Sequence, residues 1–283
     1  MHADGLFCRE VGDGPPIVVL HGGPDFDHAY LRPELDRLAD AFRLVYYDQR
    51  GRGRSAEGVR PEDVTLASEL DDLELVRSHF GLEPVAVLGH SWGGVLAMEY
   101  AVRHLERVSH LILLDTGPAS AADWRVLREE LVRRRDPRDQ EEMNAIVATD
   151  AYARGDLEAE AEYYRRHFRM TLRQPALLEA LVARLRANFT EGGVVLARTI
   201  EHRLYDETSR AEDWNLFPGL RELDVPTLVL HGEHDFVPVE LAARVAEAVP
   251  GARLTVLPGC GHFTYLEAPD AVFQEVTRHC GVV

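Results

Sequence analysis

The 283-residue chain is predicted to be an α/β protein, with a mostly parallel sheet flanked by helices. Short apolar runs rich in β-branched residues recur along it, each bounded by Gly, Pro or Asp. Continuous apolar runs of this length are typical of strands buried on both faces. Helical patterns lie between the runs, and such alternation predicts a parallel sheet that is covered on both sides.

The apolar runs predict seven strands. The first is the weakest and is expected at an edge of the sheet. The predicted strands are residues 6–11, 17–20, 44–47, 85–88, 111–114, 227–230 and 254–257. Helices are predicted between them at 66–80, 92–104, 241–249 and 271–279.

The alternation stops between residues 117 and 214. This stretch contains only helical patterns rich in Arg and Glu, for example at 124–135, 157–172 and 176–187. We interpret residues 118–213 as a helical cap inserted between two strands of one sheet. Residues 1–117 and 214–283 would then form the core domain.

The composition excludes several classes of function. The chain has 31 basic and 48 acidic residues, a net charge of −17, which repels phosphate backbones and anionic lipid. We therefore expect neither a nucleic-acid nor a membrane partner. All 31 basic residues are Arg, so Schiff-base lysines, P-loop lysines and Ser–Lys dyads are excluded.

Cysteine usage and the N-terminus predict a cytoplasmic protein. The three widely spaced cysteines suggest a reducing compartment, and we find neither a signal peptide nor an apolar run long enough to cross a bilayer. The segment with His231, Glu233, His234 and Asp235 resembles a metal cluster. It lacks HExxH spacing and follows a strand, so we predict no metal and no cofactor. The oligomeric state is left open.

The most informative motif is GHSWG at residues 89–93, a GxSxG pattern after a predicted strand and before an apolar helix. This context is that of a nucleophile elbow, in which the serine sits on a tight, strained turn. Side chains in place of Gly89 and Gly93 would clash with neighbouring backbone. Ser91 is therefore predicted to be a catalytic nucleophile.

A serine nucleophile needs a base, and in this architecture the chain order is Ser, acid, His. His262 follows the last predicted strand in a Gly-rich loop and fits as the base. Two acids are candidates. Asp235, in the loop after strand 227–230, is favoured, and Asp115, at the end of strand 111–114, is the alternative. The acid would hold the His262 tautomer and stabilise the imidazolium.

An oxyanion hole needs two preorganised donors. The residue after the nucleophile supplies one backbone N–H, which is that of Trp92 here. The second is expected from the loop after an early strand. Gly23 in the HGGP segment at 21–24 fits, because glycine allows the backbone to approach a substrate closely.

Three segments, HGGP at 21–24, DQRGRGRS at 48–55 and GHSWGG at 89–94, resemble the prolyl iminopeptidase group of the α/β-hydrolases. The resemblance implies an α/β-hydrolase fold with a helical cap inserted after the sixth strand. The group usually reads HGGPG, whereas position 25 here is Asp. It also implies cap carboxylates that bind a free substrate amine. Glu201 is a candidate for this role, the alternative being a solvent-facing helical residue.

The expected activity is hydrolysis of a small carboxylic ester or amide through an acyl-enzyme, including prolyl-iminopeptidase-like aminopeptidase activity. Phe26, Phe236 and Phe263 adjoin the predicted catalytic loops and either line the pocket or serve as packing. Esterase or lactonase activity, C–C bond hydrolysis or acyl transfer on the same fold, and a non-enzymatic ligand receptor remain alternatives. The expected ligand is a small molecule or short peptide.

Overall fold

A computed structural model of the chain describes residues 1–282 and contains one eight-stranded sheet. The strands are β1 (His2–Ala3), β2 (Leu6–Val11), β3 (Pro16–Leu20), β4 (Arg43–Tyr47), β5 (Val85–His90), β6 (Val108–Leu114), β7 (Thr227–Gly232) and β8 (Arg253–Leu257). Their order is β1-β2-β4-β3-β5-β6-β7-β8. The pairs β1–β2 and β2–β4 are antiparallel and the others are parallel, which confirms the predicted mostly parallel sheet.

Each predicted strand lies within an observed one. Every residue of β5 and of β7 is buried, as expected for continuous apolar runs at the centre of a covered sheet. The extra strand, β1, was not predicted because two residues carry no periodicity. It pairs with β2, so the strand at 6–11 is not at the edge of the sheet, where it was expected.

Helices account for about half of the other residues that the structure describes. They are α1 (Leu66–His79), α2 (Trp92–Arg103), α3 (Ala121–Arg134), α4 (Pro137–Val147), α5 (Asp150–Ala153), α6 (Leu157–His167), α7 (Leu178–Leu185), α8 (Glu191–Glu207), α9 (Phe217–Leu220), α10 (Val239–Ala248), α11 (Thr264–Glu267) and α12 (Pro269–His279). Helix α1 begins with a capping box formed by Thr65 and Ser68, which satisfies backbone N–H groups of its first turn.

The core consists of two large hydrophobic clusters, and side chains of one strand alternate between them. In β3, Val18 and Leu20 belong to one cluster and Ile17 and Val19 to the other. Because successive strand side chains point to opposite faces, the two clusters lie on opposite sides of the sheet. The sheet, packed on both faces, therefore supports the loops that follow the ends of its strands.

The helices α3 to α8 follow β6 and precede β7, so the chain has a helical insertion region at the predicted place. Within it, α6 ends at His167, and a 3₁₀ turn covers Phe168–Met170, so the helix predicted at 157–172 is too long. Helices α4 and α8 were not among the predicted examples. No helix within residues 1–282 is long and apolar enough to cross a membrane.

Candidate active site

The turn at Ser91 connects the end of β5 to the start of α2. Ser91 has φ 56° and ψ −118°, a backbone conformation that is strained for a residue with a side chain. A Cβ on Gly89 would lie 2.1 Å from the carbonyl oxygen of Gly93, and one on Gly93 would lie 2.2 Å from that of Leu20. The glycines are thus required for the chain to turn sharply enough to present the serine.

The structure brings Ser91, His262 and Asp235 into one hydrogen-bonded chain. The Ser91 hydroxyl lies 3.0 Å from Nε2 of His262, and Nδ1 of His262 lies 2.9 Å from both carboxylate oxygens of Asp235. In the tautomer that this network favours, Nδ1–H donates to Asp235 and Nε2 accepts from Ser91. Burial lowers the pKa of His262 to about 3, which keeps the imidazole neutral and able to accept a proton.

Asp235 is also held by a backbone group of its own loop. The Val237 N–H donates to Oδ1 of Asp235 at 2.8 Å, so the carboxylate is oriented by its own loop. Burial raises the pKa of Asp235, and the neighbouring His231 and the Val237 N–H oppose that shift.

Asp115, the alternative acid, is directed elsewhere. It accepts hydrogen bonds from the backbone N–H of Thr264 at 2.9 Å, the Thr264 hydroxyl at 2.7 Å and the Gly232 N–H at 3.0 Å. It therefore links the ends of β6 and β7 to the loop after β8. Burial raises the pKa of Asp115 well above its usual range, and the nearby Asp235 adds to that shift.

One group of side chains within residues 1–282 has metal-ligand spacing. Ligand atoms of Asp115, His231 and Asp235 lie within 4.8 Å of one another, and all three residues are buried. Both carboxylates already accept the hydrogen bonds described above, and Nε2 of His231 lies 2.8 Å from the Val237 carbonyl oxygen. A metal ion would compete with these bonds. Glu233 and His234 belong to the same sequence segment as His231 and Asp235 but lie outside this group.

The two candidate oxyanion donors line the cavity that contains Ser91. Trp92 is the first residue of α2, where backbone N–H groups have no intrahelical acceptor and the helix dipole favours negative charge. Gly23 has φ 120°, and a Cβ there would lie 2.2 Å from the backbone nitrogen of Asp25. Both residues line the same cavity as Ser91. The loop thus requires glycine at position 23.

The cavity above Ser91 is lined by residues of both the core and the insertion. Phe26, Phe236 and Phe263 all lie in its wall, as does Trp92. Its apolar lining includes Trp124, Leu127 and Leu131 of α3. Polar and charged residues also line it, among them Asp25, Tyr152, Tyr163, Tyr164, His167, Arg198, Glu201 and Tyr205.

A buried charge network connects the helical insertion to the loop that holds Gly23. Arg186, which follows α7, donates to the carbonyl and the carboxylate of Asp25 and to Glu160 of α6 at 3.0 and 3.1 Å. The Tyr164 hydroxyl donates to Asp25 at 2.8 Å, and Arg198 lies 3.4 Å from Glu160. This network was not predicted from the sequence. Asp25, at a position that is usually glycine in the prolyl iminopeptidase group, was a signal for it.

Glu201 lies in the cavity wall, partly buried, and not on the outer face of α8. Burial raises its pKa well above the usual range, the nearby Asp25 adds to the shift, and Arg186 opposes it. Arg186 and Arg198 are within ion-pair distance of Asp25 and Glu160, and no ion pair to Glu201 occurs in the described chain. Glu201 is thus the cavity carboxylate that lacks a cationic partner.

Comparisons with known proteins agree with this architecture. The family model described as alpha/beta hydrolase fold matches residues 15–269. The chain is 30% identical to a proline iminopeptidase of Lactobacillus helveticus, over 94% of this chain and 90% of that protein. It is similar to the crystal structure of a proline iminopeptidase of Mycobacterium smegmatis, with 27% identity, a TM-score of 0.69 and coverage of 97% and 95%.

A second similar structure is a thermophilic esterase of Thermogutta terrifontis, with 25% identity, a TM-score of 0.66 and coverage of 96% of this chain and 92% of the esterase. The sheet order, the strained turn at Ser91 and the full-length similarity lead to the same assignment. The chain belongs to the α/β-hydrolase fold family and is a distant relative of the proline iminopeptidases.

Proposed function

We propose that the protein is a serine hydrolase that cleaves a small carboxylic ester or amide through an acyl-enzyme. Ser91 attacks the substrate carbonyl carbon while its proton moves to Nε2 of His262. Asp235 holds the His262 tautomer and stabilises the imidazolium. The observation that carries this proposal is the hydrogen-bonded chain from Ser91 through His262 to Asp235.

The remaining steps use groups that adjoin this chain. The backbone N–H groups of Gly23 and Trp92 receive the developing oxyanion, and the protonated His262 then donates its proton to the leaving amine or alcohol. Water, activated by the neutral His262, hydrolyses the acyl-Ser91 ester and releases the acid. Apart from the hydrolytic water, every group that acts in this scheme is a side chain or backbone group of the chain.

The favoured substrates are short peptides with a free N-terminal amine, of the N-terminal proline type that the relatives' names indicate. Glu201 supports this choice, because its carboxylate faces the cavity without a cationic partner. A substrate ammonium would supply the missing charge, and a buried carboxylate is stabilised by such a partner. Residues 118–213, which contain Glu201, are accordingly assigned as the cap domain that selects the substrate.

Simple ester or lactone hydrolysis is the second candidate. The apolar wall formed by Trp124, Leu127 and Leu131 favours it, because an uncharged acyl or alkoxy group would be buried there without the need for an ion pair. The similarity to the Thermogutta esterase is consistent with this activity. In this case Glu201 would be protonated and uncharged, and it would not attract the substrate.

A substrate panel distinguishes the two candidates. We expect proline naphthylamide to be cleaved with a higher kcat/KM than an N-acetylated proline naphthylamide, because acetylation removes the charge that Glu201 would bind. Short and long p-nitrophenyl esters and lactones complete the panel. Preference for the acetylated or ester compounds would favour the second candidate.

The Ser91→Ala variant tests the chemistry common to both candidates. We expect kcat/KM to fall at least about a thousandfold for every substrate that the wild type cleaves, because only binding and oxyanion effects remain. Circular dichroism and thermal melting of the variant check that it is folded. An unchanged rate in a folded variant would eliminate Ser91 as the nucleophile.

A further inference from the structure

The backbone carbonyls of the loop that carries Gly23 are held by side chains. The partners of the His21, Gly22 and Pro24 carbonyls come from the core. Nε2 of Gln49 donates to the carbonyl of His21 at 2.9 Å, and Nε of Arg52 donates to that of Pro24 at 2.9 Å. Nδ1 of His21 lies 3.0 Å from the Gly22 carbonyl oxygen. Buried backbone groups need such partners, since a loop has no ladder to supply them.

The two remaining carbonyls of residues 21–25 are held by the insertion. Arg186 donates to the carbonyl of Asp25, as described above. The hydroxyl of Tyr205, on α8, donates to the carbonyl of Gly23 at 3.3 Å. The residue whose N–H is the candidate oxyanion donor is therefore the residue whose carbonyl depends on Tyr205.

Tyr205 also contacts the second candidate donor. Its ring packs edge-to-face against the indole of Trp92, with centroids 5.6 Å apart and an interplanar angle of 88°. On its other side it packs against Trp124 of α3, also at 5.6 Å. One side chain from the insertion thus touches both residues whose backbone N–H groups are the candidate oxyanion donors.

We propose that Tyr205 is a positioning residue that fixes the oxyanion hole from the cap, so that the hole is complete only when α8 is docked over Ser91. The inference rests on the proposed serine hydrolase function. Its physical basis is the freedom of Gly23, which has no side chain and can rotate about φ and ψ. The direction of the Gly23 N–H is therefore set by the peptide groups before and after Gly23. Tyr205 holds the second of these groups through the Gly23 carbonyl oxygen.

This role differs from that of Glu201, which lies one helical turn earlier on α8. Glu201 would act only on substrates that carry an amine, whereas every ester or amide develops an oxyanion. A change at Tyr205 is accordingly expected to lower the rate with uncharged substrates as well as with amine substrates.

The test is Tyr205→Phe, which keeps the ring and removes only the hydroxyl. We expect kcat to fall about tenfold for both proline naphthylamide and a p-nitrophenyl ester, with KM nearly unchanged. This loss is smaller than the factor of about 10² to 10³ that follows removal of a donor itself. The rate of inactivation by a fluorophosphonate, whose phosphoryl oxygen occupies the same hole, should fall in parallel.

The matched control is Tyr47→Phe. Tyr47 is a buried core tyrosine whose hydroxyl has no hydrogen-bond partner among the described residues, and it lies outside the cavity lining. Tyr205→Phe rates equal to those of this control would overturn the proposal. A loss confined to amine substrates would overturn it as well, because Tyr205 would then serve Glu201.

Failure of the proposed function gives a different result. In that case the fluorophosphonate would react equally with wild type and with Ser91→Ala, whatever residue stands at position 205. If Ser91→Ala abolishes the reaction while Tyr205→Phe leaves its rate at the wild-type value, the hydrolase function stands and the positioning role is refuted.

Discussion

The two walls of the cavity above Ser91 are built on different physical principles. In the core wall, the reactive side chains follow the ends of the parallel strands β5, β7 and β8, and the sheet fixes their separation. In the cap wall, charged side chains from α6, α7 and α8 meet a core loop through buried ion pairs. On the proposed function, the core would supply the chemistry, and the cap would supply selection of substrate and alignment of the oxyanion loop.

The two walls also differ in how they tolerate substitution. Ser91, His262 and Asp235 are joined by directed hydrogen bonds, and on the proposed function the loss of one of them removes a step of the reaction. The pairs around Arg186 are held by charge in a region from which water is excluded. Removal of one partner there leaves an uncompensated buried charge, which is strongly destabilising. Core variants should therefore lose rate, and cap variants should lose stability or selectivity.

The largest effect is expected at the acid of the core wall. Asp235→Asn should lower kcat by about ten-thousandfold, because the amide cannot hold the tautomer in which Nε2 of His262 accepts the serine proton. Asp115→Asn should lower the melting temperature, because Asp115 accepts three buried hydrogen bonds, and it should cost less rate. Ester hydrolysis and thermal melting of both variants measure the two effects.

The opposite ranking of the two rates would show that Asp115 is the working acid. It would also contradict the view that hydrogen-bond geometry alone identifies the catalytic groups of the core wall.

The second effect concerns the stability of the cap wall. Arg186→Ala should destabilise the fold by about 3 to 5 kcal/mol, because it leaves Asp25 and Glu160 buried without their shared partner. The expected fall in melting temperature is on the order of 10 °C. The control is Arg60→Ala, which breaks the solvent-exposed pair with Asp63 and should leave the melting temperature unchanged. Equal melting temperatures for the two variants would remove the structural role of the network.

The smallest effect concerns selectivity. Burial raises the pKa of Glu201 well above its ordinary value of 4.5, so the carboxyl ionises at a higher pH than a free carboxyl does. An ammonium substrate requires the ionised form. Its KM should therefore fall as the pH rises, until the substrate α-amine itself loses its proton. An uncharged ester should show no such change in KM.

Glu201→Gln should abolish this pH dependence and lower the preference for the amine substrate by about tenfold to a hundredfold. The control is Glu191→Gln at the exposed start of the same helix, which should keep the wild-type profile. A pH profile of KM that survives in Glu201→Gln would assign amine recognition to another group, or exclude it.

The core wall was largely predictable from sequence because its signals are local. The strand before Ser91, the glycines around it and the Gly-rich loop of His262 each lie within a few residues of the group that they position. The mostly parallel sheet was predicted for the same reason. The choice between Asp235 and Asp115 was open, because both follow strands and only the packed loops show which carboxylate points to His262.

The cap wall could not be derived in this way. Asp25, Glu160 and Arg186 are far apart in the sequence, and nothing in the local pattern of any of them indicates the other two. Tyr205 has an ordinary place on an amphipathic helix, and its contact with Gly23 depends on how α8 docks. Glu201 was found only through resemblance, and its position in the cavity wall came from the structure.

The central claim is that Ser91 is the nucleophile of the core wall. It is tested most directly by incubating the folded wild type and Ser91→Ala with a fluorophosphonate, measuring the intact mass and mapping the labelled peptide. We predict one phosphonyl group per wild-type chain, on the peptide that contains Ser91, and none on the variant. An unlabelled wild type, or a label on any other residue, would contradict the account.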